Sequence, residues 1–412
     1  MSYKNIYILG VGGSGMSSIA KYLKQKGDNV IGYDQRKSYV TNLLNQDGIK
    51  VVHTLDEVTY KPECLYIYSS AIPIESDRFE DFYDKENVLS RPEYLKNLSE
   101  NHKIIGITGT HGKTSTTALL SHIFHFNNVN VSYLYGGITT FNGIGGHYGD
   151  PDQPLILETD EAFNTFEKIK ISDLLVLNVD SDHLDYFKNL DNYKDAFYKV
   201  MKNVTDNLVI NNDDLNIKSM KELKNPVSYG KDIAADFKVQ SPGTFIYENN
   251  KYEIKSDIIG DHFKANMLGA IILALLNGIE IKDSLNAIES FAGVKRRIEL
   301  IGISKGVLIY DDYGHHPTEM EATITALKQQ TESKLYVVFQ PHRYTRTMEY
   351  FNSFKDSLKL ADFAIVTDIY PAGESPIPGI SSKNFEEESI KYLKSIRSVS
   401  YTHLTLPTST LV

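Results

Sequence analysis

The 412-residue chain has very little of several residue types that mark specialised proteins. It has a single cysteine, Cys64, and no tryptophan. One cysteine excludes an intramolecular disulfide and indicates a reducing compartment, so we expect a cytoplasmic protein. The N-terminal segment has no small-residue cleavage site, and we therefore expect no signal peptide. The longest apolar run, 267–276, is about half of a membrane span and predicts no stable membrane association.

The chain also lacks an excess of positive charge. Its 43 lysine and arginine residues stand against 53 aspartate and glutamate residues, for a net charge of -10. Sequence-independent affinity for nucleic acid needs a basic surface, so we expect no nucleic-acid partner. An anionic substrate must instead be held by local N–H groups, lysines and arginines. The composition, 41% hydrophobic and 23% charged, is that of a globular protein, and the length allows about two to four domains.

Short β-branched or aromatic runs alternate with helical patterns along the chain, which predicts parallel sheets covered by helices. We predict strands at 5–9, 29–33, 50–53, 65–69, 104–108, 155–158, 174–178, 208–211, 307–310, 335–339 and 363–368. We predict helices at 16–26, 40–46, 116–124, 317–329 and 347–359. The pattern falls into three blocks, so the sequence predicts an α/β protein of three units joined near residues 98 and 294.

The first block contains a glycine-rich turn between a strand and a helix. Residues 10–15, Gly-Val-Gly-Gly-Ser-Gly, satisfy the G-x-G-x-x-G pattern. Glycines permit a tight turn and a close approach to a diphosphate, and the helix N-terminus offers unpaired N–H groups. Asp34 ends the next strand at the spacing expected of an acid that binds a ribose. The pattern leaves NAD and a sugar nucleotide open as ligands, and a turn that binds nothing is the third interpretation.

The second block contains a loop with the features of a phosphate-binding loop. Residues 108–115 read Thr-Gly-Thr-His-Gly-Lys-Thr-Ser and lie between a strand and a helix. Backbone N–H groups of such a loop surround phosphates, Lys113 neutralises the terminal oxygens, and the Thr114 hydroxyl can bind Mg²⁺. The spacing departs from the general pattern because Ile107 stands where a glycine is usual. A strand–turn–helix junction with an incidental lysine is the alternative.

Two acidic clusters, at 158–161 and 178–185, follow later strands of this block, where open α/β sheets build their ligand sites. Mg²⁺ prefers a few carboxylate or hydroxyl ligands and keeps several waters. One acid from each cluster, together with Thr114, would therefore be enough to bind the ion. Three acids, Asp160, Asp180 and Asp185, are more simply interpreted as helix caps or solvated charges. His183 lies at a strand end beside Asp182, which favours a functional role.

The ordered set of motifs resembles the Mur ligase family. The resemblance extends from Lys4 to about Ile396 and is specific because the motifs occur together and in the family's order. They are LGVGGSGM (9–16), SSAI (69–72), TGTHGKTS (108–115), the acidic run at 178–185, GVKRR (293–297), DDYGHHP (311–317), FQPHRYTRT (339–347) and YPAGESPIP (370–378). His111 and the DDYGHHP run are similar to the branch of the family that adds the first amino acid, L-alanine.

The resemblance implies three domains: a Rossmann-like domain that binds a uridine-diphosphate sugar (1–98), a central P-loop ATPase domain (99–293) and a Rossmann-like domain that binds the amino acid (294–398). It also implies the reaction: ATP phosphorylates the lactyl carboxylate of UDP-N-acetylmuramate, and the amine of L-alanine attacks the acyl phosphate. The implied cofactors are ATP and Mg²⁺. We expect the third domain to be incomplete and residues 399–412 to be a non-native or disordered tail, because they do not resemble the family.

The resemblance also implies roles for individual residues. ATP would be bound by Gly109, Thr110, His111, Gly112, Lys113, Thr114, Ser115, His262, Asn266, Arg297 and Asp312, and the metal by Thr114, Glu158 and His183. The substrates would be bound by Gly10, Gly12, Gly13, Ser14, Gly15, Asp34, Ser69, Ser70, Tyr313, His315 and Arg343. Catalysis would depend on Lys113, His183, Arg297, His342 and Arg346.

Three other functions remain open at this point. A recycling ligase that attaches a murein tripeptide to the same sugar nucleotide has nearly the same motifs, although DDYGHHP and YPAGE fit the L-alanine branch better. An NAD-dependent oxidoreductase would explain residues 10–15 but not the second loop. An inactive Mur-like protein would bind the sugar nucleotide and release no phosphate.

Overall fold

The computed structural model describes residues 3–182, 184–220 and 223–394. The chain divides between Lys295 and Arg296 into two compact units. Within the described residues, no helix is both long enough and apolar enough to cross a membrane. Each unit is built from α/β layers, as the alternation of strand and helix patterns predicts.

The first sheet of the larger unit is entirely parallel. Its strand order is β3-β2-β1-β4-β5. The strands are β1 (Asn5–Leu9), β2 (Asn29–Tyr33), β3 (Lys50–Val52), β4 (Leu65–Tyr68) and β5 (Val88–Ser90). Its helices are α1 (Ser14–Lys26), α2 (Tyr39–Gln46) and α3 (Arg91–Ser99). The order reverses between β1 and β4, and the carboxyl edge at such a reversal is where open α/β sheets bind ligands.

The second sheet of this unit is a larger, mostly parallel one, of order β15-β14-β13-β12-β11-β10-β6-β9-β7-β8. Its strands are β6 (Ile104–Thr108), β7 (Ser132–Thr139), β8 (Gly143–His147), β9 (Leu155–Glu158), β10 (Asp173–Val176), β11 (Asn207–Asn211), β12 (Val227–Gly230), β13 (Phe237–Ser241), β14 (Thr244–Tyr247) and β15 (Asn250–Glu253). The β7–β8 and β13–β15 hairpins are antiparallel and form its two edges.

The helices on this sheet are α4 (Lys113–Phe126), α5 (Leu184–Phe187), α6 (Leu190–Lys202), α7 (Leu215–Lys218), α8 (Asp261–Leu276) and α9 (Ile281–Glu289). Helix α8 contains the longest apolar run and is buried through most of its length, from Asn266 to Ala274. It packs on α4 and on the strands beneath. The apolar run of α8 is therefore part of the hydrophobic core of this unit. Short 3₁₀ turns at Leu55–Glu57, Asp77–Phe82 and Ala162–Lys168 complete the unit.

Helix α1 joins the two sheets of the larger unit. Its apolar face belongs to a core cluster that continues into the second sheet through Leu134 and Ile144. A Cβ atom on Gly146 would lie 2.0 Å from the backbone oxygen of Ser18, so only glycine permits this approach of β8 to α1. The buried Lys21 amine donates to the carbonyls of Asn142 and Ile144. The helix that begins at the glycine-rich turn is thereby fastened to the β7–β8 hairpin.

The smaller unit contains an antiparallel hairpin and a parallel three-stranded sheet of order β18-β19-β20. The strands are β16 (Glu299–Ser304), β17 (Val307–Asp311), β18 (Tyr336–Phe339), β19 (Phe363–Val366) and β20 (Ile390–Tyr392). The helices are α10 (Pro317–Gln329), α11 (Tyr344–Glu349) and α12 (Phe351–Leu358), with a 3₁₀ turn at Ser382–Phe385. The single helix predicted at 347–359 is wrong, because the chain breaks at Tyr350, which joins α11 to α12.

Candidate active site

The glycine-rich turn lies at the carboxyl end of β1, at the reversal of the first sheet. Gly10 has a φ of +79°, a conformation that favours glycine, and a Cβ on it would lie 2.9 Å from the Cβ of Ser69. The N–H of Gly12 donates to Asp34 Oδ2 over 2.9 Å, and the N–H of Arg36 donates to Oδ1 over 3.0 Å. The structure thus brings Ser69 and Asp34 to the turn, and the Asp34 carboxylate orders its backbone.

The same turn approaches the second sheet. A Cβ on Gly136, in β7, would lie 3.1 Å from Ser14 Oγ and 3.5 Å from Glu158 Oε2. Gly13 begins α1 without a side-chain cap, and Gly15 follows in the first turn. Ser70 follows Ser69 in the SSAI motif and is exposed. The predicted sugar-nucleotide and phosphate motifs are therefore neighbours through Ser14.

The second loop wraps the N-terminus of α4. Gly112 has a φ of +87°, and a Cβ on it would lie 2.4 Å from Asn266 Nδ2. Asn266, predicted near the adenine, therefore lies directly against the loop. The N–H of His111 donates to Asn178 Oδ1 over 2.8 Å, and Asn178 Nδ2 donates back to the His111 carbonyl over 2.9 Å. These two non-local hydrogen bonds thus tie the loop at His111 to Asn178, and Ser115 lies in the first turn of α4.

Lys113 is anchored inside the loop by acceptor groups of three residues. Its amine donates to the carbonyls of Gly109 (2.6 Å) and Thr110 (3.1 Å) and lies 2.8–2.9 Å from both carboxylate oxygens of Glu161. Glu161 is 1% exposed, and its Oε1 also accepts from the buried Tyr193 hydroxyl over 3.2 Å. Burial is the largest single influence and lowers the pKa of Lys113, but the hydrogen bond to Glu161 and the charges of Glu161, Asp160 and Glu158 together outweigh it, so the pKa is raised. The lysine therefore stays cationic at neutral pH.

Thr114 and Glu158 form an oxygen-rich pair beside Lys113. The Thr114 hydroxyl donates to Glu158 Oε1 over 2.6 Å, and the N–H of Gly136 donates to Oε2 over 2.6 Å. A hydroxyl and a carboxylate are the oxygen donors that Mg²⁺ accepts, so the predicted metal pair fits the ion chemically. His183, the third predicted ligand, lies outside the described residues.

His111 and His262, which the sequence also assigns to ATP binding, have different surroundings. His111 Nε2 lies 3.0 Å from Asp180 Oδ2, so this acid has a specific partner beside the loop. The His262 ring packs against the adjacent Phe263 at 4.4 Å between centroids, near the start of α8. Both histidines belong to segments around the second loop, and their contact with a nucleotide stays a prediction.

In the smaller unit, Asp312 organises the chain after β17. Its Oδ2 accepts from the N–H of Ile298 and its Oδ1 from the N–H of Gly314, both over 2.8 Å. The Arg297 guanidinium lies 5.3 Å from the centre of the Tyr313 ring. The structure therefore groups Arg297 and Asp312, which the sequence assigns to ATP, with Tyr313, which it assigns to the substrates, at one end of the β16–β17 hairpin.

A second group lies beyond the carboxyl end of β18. The His342 ring stacks on Tyr370 at 5.5 Å and lies 6.1 Å from the His315 ring. Arg343 has a φ of +72°, and its Nε donates to Glu374 Oε1 over 2.6 Å. Arg346 is buried one turn further on. Because the cations Arg343 and Arg346 share this region with two histidines, it is suited to an anionic group such as a carboxylate.

Stability of the smaller unit is expected to depend on the protonation of His342. Burial, aided by the charges of His315, Arg346 and Arg343 and opposed by Glu374, lowers the pKa of His342 from 6.5 to about 4. The unfolded chain therefore binds more protons between these values, so this contribution is present above pH 6.5 and lost as pH falls toward 4. The free energy of unfolding, measured by urea denaturation followed by circular dichroism, should fall by about 2 kcal/mol between pH 7 and pH 5.

The variant His342→Gln removes this titration and should flatten that pH dependence, whereas replacing the exposed His125 by glutamine should leave it unchanged. An equal slope in wild type and His342→Gln would contradict the assignment.

Sequence reasoning missed three residues that the structure places in the site. Glu161 was noted in an acidic cluster but was not recognised as the partner of Lys113, and Tyr193 had no motif at all. Gly136 lies in a glycine-rich segment to which the sequence assigned no contact. The sequence around Glu161 gives no local signal for this pairing, because its partner Lys113 is 48 residues away.

The first sheet's strand order, its glycine-rich turn and the Lys113 loop on a second parallel sheet define an α/β nucleotide-binding protein of the P-loop type. Family models match nearly the whole chain: "Mur ligase family, catalytic domain" at residues 5–103, "Mur ligase middle domain" at 107–274, and "Mur ligase, glutamate ligase domain" at 296–403. The chain belongs to the Mur ligase family. The predictions of the family and of the α/β fold class are confirmed, and three family models match in succession along the chain. The predicted domain bounds stay predictions, and the predicted tail, 399–412, lies outside the described residues.

Curated relatives are similar in sequence to this chain over most of their length. The UDP-N-acetylmuramate–L-alanine ligase of Dictyoglomus turgidum is 35% identical over 405 residues, which is 94% of this chain and 86% of that protein. The protein of the same name in Caldicellulosiruptor saccharolyticus is 36% identical over 401 residues, 93% of this chain and 87% of that one.

Several solved structures share the fold of this chain. The UDP-N-acetylmuramate-alanine ligase of Thermotoga maritima superposes with a TM-score of 0.79 at 24% identity and covers 96% of this chain and 93% of that one. A murein peptide ligase from Psychrobacter arcticus superposes with a TM-score of 0.69 at 22% identity, with 95% and 91% covered. At these identities the likeness concerns the fold alone.

Proposed function

We propose that the chain is an ATP-dependent, ADP-forming ligase that joins L-alanine to the lactyl carboxylate of UDP-N-acetylmuramate, in the synthesis of peptidoglycan precursors. The observation that carries the proposal is the combination of a Lys113–Thr114–Glu158 phosphate site with curated relatives of that name at 35–36% identity over more than nine-tenths of the chain. Because ATP is a substrate, we also propose that the protein acts in the cytoplasm.

The proposed chemistry brings two anions together, since a carboxylate must attack the terminal phosphate of ATP. Lys113, whose amine lies within the loop, would neutralise phosphate oxygens, and Thr114 and Glu158 would hold Mg²⁺. The metal, when bound, supplies further positive charge at the transferring phosphate. Glu161 keeps Lys113 charged and oriented. The residues of the larger unit thus supply the electrostatic part of acyl-phosphate formation.

The sugar nucleotide is proposed to bind at residues 10–15. The proximity of Ser14 to Gly136 and Glu158 supports this arrangement, because it lets one ligand extend from the first sheet to the metal pair. In the smaller unit, His342, Arg343 and Arg346 are proposed to receive the amino acid and its acyl-phosphate partner, and Arg297 to contact the terminal phosphate. These roles come from the family resemblance and the grouping of the side chains.

The proposed function predicts that ADP release requires UDP-N-acetylmuramate, ATP, Mg²⁺ and L-alanine together. A coupled assay that omits each component in turn measures this, and the amino-acid position is then tested with L-alanine, glycine, L-serine and L-Ala-γ-D-Glu-meso-diaminopimelate. We expect the highest kcat/KM with L-alanine. Turnover with the tripeptide alone would instead identify a murein-recycling ligase.

A further inference from the structure

A buried tyrosine that no sequence motif singled out lies behind the Lys113 loop. Tyr193 is near the start of α6 and is 0% exposed. Its ring packs against the rings of Phe187 and Phe197, each at 5.1 Å between centroids. Aromatic pairs at such distances contribute to the packing of a core. Two aromatic neighbours therefore hold the Tyr193 ring, and the position of its hydroxyl is set by the core of the larger unit.

The Tyr193 hydroxyl joins two groups of the Lys113 site. It donates to Glu161 Oε1 over 3.2 Å and lies 3.0 Å from Thr110 Oγ1. Burial, followed by the negative charge of Glu161, raises the pKa of Tyr193, so the hydroxyl keeps its proton and remains a donor. A phenol has one proton to donate and an oxygen that can accept. With its proton on the carboxylate, Tyr193 can accept a hydrogen bond from the Thr110 hydroxyl.

Both partners of this hydroxyl also hold the Lys113 amine. The amine donates to Glu161 Oε1 (2.9 Å) and to the carbonyls of Thr110 (3.1 Å) and Gly109 (2.6 Å). An ammonium has three N–H donors, and protein acceptors occupy all of them here. To reach a phosphate oxygen, the amine has to give up one of these acceptors. A buried carboxylate that loses a donor is costly, and Tyr193 keeps a hydrogen bond on Glu161 wherever the amine points.

We propose that Tyr193 is a positioning residue for the transfer of phosphate from ATP. Its hydroxyl fixes the Glu161 carboxylate and the Thr110 hydroxyl, and these two residues direct the Lys113 amine toward the phosphate oxygens. Because Tyr193 is fully buried, it acts through these groups and not by contact with a substrate. The inference rests on the proposed function, since the transfer it serves is the formation of the acyl phosphate.

The direct test is Tyr193→Phe, which removes the hydroxyl and keeps the ring. We expect the kcat of ADP release to fall about ten-fold and the affinity for ATP, from calorimetric titration in Mg²⁺, to fall about three-fold, because a hydrogen bond to a charged group is lost. The affinity for UDP-N-acetylmuramate and the Mg²⁺ concentration for half-maximal activity should stay as in wild type. The Tyr193 hydroxyl acts at Thr110 and Glu161, away from the groups that set these two quantities.

Tyr198→Phe is the matched control, since it removes the hydroxyl of a half-buried tyrosine from the same helix and should behave like wild type. Wild-type kcat and ATP affinity in Tyr193→Phe would overturn the proposal, because ring packing would then be the whole role of the residue. Loss of UDP-N-acetylmuramate affinity in the same variant would also overturn it, because a general defect of the larger unit would explain both losses.

A double-variant cycle tests the route through Glu161. Glu161→Gln keeps the shape of the side chain, removes its charge and should lower kcat by itself. If Tyr193 acts through Glu161, adding Tyr193→Phe to Glu161→Gln lowers kcat by less than Tyr193→Phe does in the wild-type background. Equal factors in the two backgrounds would show independent action and would contradict the proposal.

The Thr110 side of the network keeps the proposal testable if Tyr193→Phe fails to fold. Thr110→Ser keeps the hydroxyl that meets Tyr193, whereas Thr110→Val keeps the shape of the side chain and removes the hydroxyl. We expect kcat to be about ten-fold lower in Thr110→Val than in Thr110→Ser. Equal kcat values in the two variants would overturn the role of the hydroxyl network.

Failure of this inference is distinguishable from failure of the proposed function. If wild type binds ATP but releases no ADP with UDP-N-acetylmuramate and L-alanine, the proposed substrates are wrong, and the ATP titrations still test Tyr193. If wild type turns over and Tyr193→Phe matches it, the proposed function stands and the role of Tyr193 is wrong.

Discussion

Replacing Lys113 by alanine is expected to lower the kcat of ADP release by about a thousand-fold or more while sugar-nucleotide binding stays nearly unchanged. The amine is the cation at the centre of the loop, held by the carbonyls of Gly109 and Thr110 and by Glu161. Alanine removes the charge that is proposed to offset the repulsion between the carboxylate and ATP. The glycine-rich turn is ordered by its own contacts with Tyr33 and Asp34, which do not involve Lys113.

Steady-state ADP release and calorimetric titration of UDP-N-acetylmuramate measure the two halves of this prediction. Lys168→Ala, which removes an exposed lysine from the same unit, should leave both unchanged. Joint loss of turnover and of sugar-nucleotide binding in Lys113→Ala would mean that the two nucleotide sites are misassigned. Lys113→Ala also leaves the buried Glu161 without its cation, so a thermal unfolding scan is needed to show that the variant is folded.

Replacing Glu158 by glutamine is expected to raise the Mg²⁺ concentration for half-maximal ADP release at least about ten-fold and to lower kcat about a hundred-fold. Both carboxylate oxygens accept 2.6 Å hydrogen bonds, from Thr114 Oγ1 and from the N–H of Gly136. Glutamine keeps the shape but has only one acceptor oxygen, so its amide would face one of these donors. The negative charge that attracts the ion is lost as well.

A measurement without turnover supports the same assignment. Mg²⁺ with ATP should raise the unfolding temperature of wild type and raise that of Glu158→Gln much less, because a ligand stabilises the state that binds it. Glu100→Gln, at an exposed position of the larger unit, should behave like wild type in both experiments. An unchanged Mg²⁺ requirement in Glu158→Gln would remove Glu158 from the metal site.

Most of the secondary structure follows from local pattern. The strand at 155–158 and the helix at 317–329 are found at the predicted residues, because each has a clear period and a clear stop. Helix α4 begins at Lys113, three residues before the predicted start, since Gly112 with its positive φ is the residue that ends the loop. The break at Tyr350 was not predicted, because the 347–359 pattern continues through it.

The candidate site was only partly predictable. Lys113, Thr114 and Glu158 come together as their motifs imply. The partner of Lys113 could not be read from the sequence, because Asp160 and Glu161 are adjacent acids and only the packing around α6 buries the second. Gly136 was missed for the same reason, because it acts through a contact across the fold with Glu158.

The sequence by itself determined the α/β class, the two loops, the family and the chemistry that the loops can perform. These depend on short-range requirements: glycines where the backbone takes a positive φ or approaches closely, a lysine and a threonine at a strand–helix junction, and period-matched apolar residues. Only the tertiary structure decided which acid neutralises Lys113 and what orients Glu158. Those choices depend on which side chains burial brings together from distant parts of the chain, and burial is a property of the assembled fold.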